Sequence, residues 1–167
     1  ALGGVVNVIR GYVPSKKLSM LSGSASLQGE TVNSGYAGGA EFVVPLGPFT
    51  ARVDGSYRDA QDVYTPEGTL RNTSILTKNG SAGLSLVRPW GFAGVAASKY
   101  ISDYGIPPDP EGGHPSGVNI KLERSHTETK GEYRFDALDI QRLAAAYNRS
   151  VYFHQEFEST GDLGMEF

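Results

Sequence analysis

The stretch Pro48–Ala60, PFTARVDGSYRDA, decides the fold. Read by alternate positions, Phe49, Ala51, Val53, Gly55 and Tyr57 form one face and Thr50, Arg52, Asp54, Ser56 and Arg58 the other. Period two is the pattern of a β-strand whose faces meet different surroundings. The run exceeds the ~5–6 residues usual in soluble sheets and suits a tilted strand that crosses a bilayer.

The pattern recurs on both sides. In residues 36–44, Tyr36, Gly38, Ala40, Phe42 and Val44 oppose Ala37, Gly39, Glu41 and Val43. In 79–88, Ala82, Leu84 and Leu86 oppose Asn79, Ser81, Gly83 and Ser85, and in 19–30, Leu21, Gly23, Ala25, Leu27 and Gly29 oppose a row of Ser, Gln and Glu. Each apolar face is built of small residues, where a sandwich core would use more Val, Ile and Leu. The opposite face suits water or a wet lumen. On it, Arg52, Asp54 and Arg58 are expected to make cross-strand pairs with neighbours such as Glu41 and Lys78, Lys78 having the opposite parity.

Connections alternate in length. PLGP (45–48), RPWG (88–91) and FDALD (135–139) are short and turn-like, whereas 59–77, 102–117 and the stretch from 155 are long and polar. In an up-and-down meander, all short turns then lie at one end and all long loops at the other, which is the pattern of outer-membrane barrels. The four-residue VNSG (32–35) is the exception on the long-loop side. Residues 117–135 are expected to form a long strand rising past the bilayer. In 137–153 two periods compete: Ile140, Leu143, Ala144 and Tyr147 fit an amphipathic helix over about 138–150, while Leu143, Ala145, Tyr147, Val151 and Phe153 fit a strand that completes the meander. The fold class expected is therefore all-β, an antiparallel up-and-down meander forming part of a transmembrane β-barrel with about seven strands.

The totals narrow the function. Among 167 residues there are 15 Lys and Arg against 18 Asp and Glu, a net charge of -3, which argues against a nucleic-acid partner. The absence of Cys excludes disulfides, thiolate metal sites and a cysteine nucleophile. Mean hydropathy is -0.28, as a barrel strand apolar on one face would give. Neither G-x-S-x-G nor a phosphate-binding Gly-rich loop occurs, so no enzyme activity and no cofactor are expected.

A resemblance enters at residues 1–14, ALGGVVNVIRGYVP, which resembles the end of the plug domain in TonB-dependent outer-membrane receptors, with Arg10 where Thr is frequent. The later run SDYGIPPDPEGGHPSGVNIKLERSHTETKGEYRF, together with LAAAYNRSVYFHQEFES and GMEF, is similar in style to the same family. The resemblance implies that residues 1–14 end a plug and form the plug–barrel joint. Residues 15–167 would then be the N-terminal part of a barrel of roughly 22 strands, the chain being a fragment whose eighth strand has just begun at GMEF. It further implies the outer membrane as location and import of a scarce solute such as a siderophore, haem or a metal. The partners would be that solute, outer-membrane lipid and, through a plug segment not included here, a TonB-type energy-transducing protein. Edge-strand self-association of the fragment is a further expectation. The alternatives are a small complete barrel acting as an adhesin or structural protein, and a soluble β-sandwich binding module.

Candidate residues follow. Tyr104, Asp109, Glu111 and His114 are substrate-loop candidates, and the His with two carboxylates also has weak metal-ligand character. His154, Glu156 and Glu158 share one strand face and form a second weak metal candidate; the reading favoured is no metal. His126 is read as a lumen or rim residue. Tyr100 and Tyr104 at one strand end, with Trp90 and Phe92 at the other, are expected to form two aromatic girdles.

Overall fold

The computed structural model describes residues 12–109, 117–135, 141–158 and 163–166. Ten strands follow in order: β1 (Ser22–Glu30), β2 (Gly35–Leu46), β3 (Phe49–Ala60), β4 (Val63–Thr65), β5 (Gly68–Leu70), β6 (Ile75–Arg88), β7 (Gly91–Ile106), β8 (Val118–Arg134), β9 (Arg142–Glu158) and β10 (Leu163–Glu166). Eight make one sheet in the order β1-β2-β3-β6-β7-β8-β9-β10, and β4 and β5 pair separately as a small hairpin between β3 and β6. Every pairing is antiparallel between successive strands of the sheet. The fold is the all-β meander expected. Among the described residues no pairing joins β1 to β10, so the sheet is open.

Strand length grows across the sheet, from 9 residues in β1 to 17 in β8 and β9. At ~3.3 Å per residue and a tilt of ~40°, a 12-residue strand such as β3 would rise about 30 Å and β8 about 43 Å, so β8 outreaches a ~30 Å hydrocarbon layer. The segment 142–158 is strand throughout, which resolves the competing periods of the sequence in favour of the strand. Residues 136–140 of FDALD and the contested run lie outside the described residues; the hairpin they belong to closes with Phe135 N–H donating to Gln141 O at 3.0 Å.

Two loop boundaries differ from expectation. The stretch 59–77 holds the β4–β5 hairpin, and β6 already begins at Ile75. Strand β7 runs on to Ile106, paired with Val118, so the connection expected over 102–117 starts later. At the end of β7, Ser102 and Asp103 put polar residues on both faces, and at the start of β6, Ile75 and Leu76 put apolar ones on both; in either case the alternation that marks a strand is lost while the ladder hydrogen bonds continue.

Turn chemistry matches the asymmetry of the connections. Gly47 takes φ 65 in the β2–β3 turn and Gly91 φ 145 after Trp90, conformations that a Cβ disfavours. At the opposite end Ser34 takes φ 50, and the Asn33 side-chain oxygen accepts from the Gly35 N–H at 3.0 Å, an Asx-type closure of the β1–β2 hairpin.

Register assigns each residue to a face, because directly opposed residues point the same way. One face carries Leu27, Phe42, Val53, Leu84, Val95 and Tyr147, all exposed, with Leu27 92% and Val95 54% accessible. The other carries Ser, Thr, Asn and charged residues, yet it is the more buried one: Thr50 is 0% exposed, Ser85 2% and Glu128 5%. A soluble domain has the reverse arrangement. The chain exposes 11528 Å² where a globular monomer of 17.8 kDa would expose about 8,000 Å².

What covers the polar face is the N-terminal strap, residues 12–17. Tyr12 and Val13 are buried with Ala96 and pack against Phe92. Ser85 Oγ donates to Pro14 O, and Thr50 Oγ1 to Lys16 O at 3.5 Å. Gly83 and Gly94 make the room: a Cβ on Gly83 would stand 2.1 Å from Tyr12 O, and one on Gly94 2.8 Å from a Val13 methyl. Residues 1–11, with the motif that carries the family resemblance, lie outside the described residues.

Candidate functional site

The polar face is the candidate functional surface. Four strands contribute a charge network to it. Arg52 on β3 meets Glu41 on β2 at 2.6 Å and Asp54 on its own strand at 3.6 Å. Asp54 also accepts from Ser81 Oγ and lies 3.5 Å from Asn79 Nδ2. Nearer the loops, Arg58 reaches Glu30 of β1 at 3.1 Å, and Asn33 Nδ2 donates to the same carboxylate at 2.9 Å. The cross-strand pairing expected with Glu41 is made by Arg52, whereas Arg58 pairs with Glu30 and Asp54 with Arg52 of its own strand. Lys78 stands on the opposite face, 5.8 Å from the centre of the Tyr57 ring.

Register then gathers part of the sequence-derived set. Tyr104 lies opposite Ile120, and Ile120 opposite Glu156, while Ser102, Leu122 and His154 form the adjoining row. Tyr104, His154 and Glu156 thus share one face at the loop end, Tyr104 and Glu156 two strands or about 10 Å apart. His154 Nε2 is 3.2 Å from Glu156 Oε1, and Tyr152 Oη is 2.9 Å from His154 Nδ1. This is a side-chain chain along one strand; among the described residues no cluster of three His, Asp or Glu suited to a metal occurs. Asp109 is exposed just beyond β7. Glu111 and His114 lie outside the described residues. His126 faces the same surface, with Nδ1 2.8 Å from Ser150 Oγ and its ring 6.2 Å from that of Tyr12.

The aromatic girdles need correction. Phe92, Tyr100 and Tyr104 share the parity of Gly94 and Ala96 and so lie on the polar face, Phe92 beneath the strap. Small residues on both parities of 93–97 hid the direction of β7. Of the four expected residues, Trp90 alone stands with the aromatics of the apolar face, which include Tyr36, Tyr57 and Tyr133. Tyr36 and Tyr57 stack at 5.8 Å toward the loop end, and Trp90 and Tyr133 lie 5.4 Å apart at the turn end.

Sequence reasoning missed two further features. Asn72, at φ 59, donates through Nδ2 to Ile106 O at 2.7 Å and Val118 O at 3.0 Å, clamping the loop-side ends of β7 and β8 to the β5–β6 connection. The second is a row across five strands, Ser56, Asn79, Tyr100, Arg124 and Tyr152, each residue directly opposite the next. No local signal marks either feature, because both depend on the register of strands remote in sequence.

No family model and no curated protein matches this chain.

Proposed function

We propose that this sheet is part of the wall of an outer-membrane transport barrel of the TonB-dependent receptor type. Its apolar face would meet lipid and its polar face the lumen of a receptor that imports a scarce solute. The observation that carries the reading is the inversion of the faces: the polar side is covered at its centre by the strap and the apolar side is open. In water that arrangement leaves Leu27, Val53, Leu84 and Val95 without cover, whereas a bilayer supplies it. The order of short turns and long loops supports the same reading.

In this reading the strap is the joint between plug and wall, and the loop-end residues Tyr104 and Asp109 contribute to the surface the solute meets. Transport would need the energy-transducing protein to act through a plug, and this chain performs no bond-making step. The test uses the absence of Cys. Single cysteines at 51, 53 and 55 and at 52, 54 and 56 are spin-labelled in lipid bilayers. The odd positions are expected to collide with lipid-dissolved oxygen and the even ones with an aqueous relaxer. Uniform aqueous access along β3 would overturn the proposal.

A further inference from the structure

The row Ser56–Asn79–Tyr100–Arg124–Tyr152 lines a cavity of about 510 Å³ on the polar face, and Tyr12 of the strap closes one side of it. Arg124 lies at its centre, half-buried, its guanidinium carbon 5.8 Å from the centre of the Tyr100 ring. Tyr152 stands opposite Arg124 on the next strand.

The charge bookkeeping of this face leaves Arg124 distinctive. Asp54 is engaged by Arg52 and Ser81, Glu128 by Lys130, and Glu156 by His154. Among the described residues no carboxylate pairs with Arg124. A guanidinium against an aromatic face keeps its outer N–H donors free and coplanar, ready for two parallel bonds to a carboxylate-like group. Tyrosine rings on both flanks add flat apolar area next to that charge, and Asn79 and Ser56 supply neutral polar groups beyond it.

We infer that this row is a binding site for a planar organic anion, an aryl carboxylate or a phenolate of similar shape. The guanidinium grips the anionic edge and Tyr100 and Tyr152 contact the ring. The inference rests on the lumen reading of the polar face and narrows it to a class of solute.

Benzoate is the probe, titrated into the chain in detergent micelles with ¹⁵N-labelled arginine, following the Arg124 Nε–H signal. Benzoate is expected to shift that signal saturably. Benzamide, which lacks the charge, and inorganic phosphate, which lacks the ring, should each bind at least tenfold more weakly. Arg124→Gln should weaken benzoate at least tenfold, read from the ligand's own signals. Tyr100→Leu, which keeps the charge, should weaken benzoate but leave phosphate unchanged. Circular dichroism confirms that each variant keeps its sheet. Equal benzoate affinity in Arg124→Gln, or phosphate binding as well as benzoate, would overturn the inference. Failure here with alternating label access intact removes only the ligand class; benzoate binding without that alternation removes only the membrane reading.

Discussion

Gly83→Ala tests whether the strap is held by the shape of the sheet. The added Cβ would stand 2.1 Å from Tyr12 O and 3.2 Å from the Ala96 Cβ, so the strap must lift while the ladder beneath needs to give by only a few tenths of an ångström. Burying Tyr12 and Val13 contributes about 3–6 kcal/mol, and the Ser85–Pro14 hydrogen bond about 1. Ordering the backbone of three residues costs about 3–5 kcal/mol. The net docking energy is about 2 kcal/mol, equivalent to roughly 30-fold protection of a buried group. Val13→Cys places the only thiol of the chain in that buried position. Its alkylation is expected to be about 30-fold slower than that of a free thiol peptide, and Gly83→Ala should remove most of that protection. An alkylation rate within twofold of the Val13→Cys parent would refute the reasoning, since the strap would then be held by something other than the groove at Gly83.

Leu84→Lys on the apolar face should cost about 2–4 kcal/mol when the chain folds into a bilayer, measured by urea titration, and far less if that face is wet. Asn72→Asp keeps the shape of the clamp but replaces its donor with a second acceptor facing two carbonyls. Exchange at Gly105, whose N–H donates to Ser74 O, should accelerate at least tenfold while β2 and β3 stay protected.

The strand pattern, its two chemically distinct faces and the alternation of short turns with long connections were legible in the sequence because they are local. Period two in 48–60 and 79–88 needs no knowledge of which strand lies beside which. It also points to the pairing of Arg52 with Glu41, two polar-face charges in a hairpin closed by a short turn. Where small residues occupy both parities, as in Ala93–Ala97, the period loses its phase, and Tyr100 and Tyr104 were assigned to the wrong side. The candidate site was legible only in part: Tyr104, His154 and Glu156 were singled out, but their meeting on one face depends on β7 and β9 flanking β8. Gly83 and Gly94 offered a hint, being gaps on an otherwise polar face, yet nothing in the sequence indicates that Tyr12 and Val13 fill them.

By itself, then, the sequence determined that this chain makes long strands with one apolar and one polar side, since alternation is set by the geometry of the extended backbone. Only the tertiary structure decided which polar side chains meet. Register places Ser56, Asn79, Tyr100, Arg124 and Tyr152 in one row, and a shift of one residue would turn a strand's contribution to the opposite face. That choice is cooperative across the sheet: hydrogen bonds join only neighbouring strands, yet through them the row links Ser56 on β3 to Tyr152 on β9, across the three strands between them.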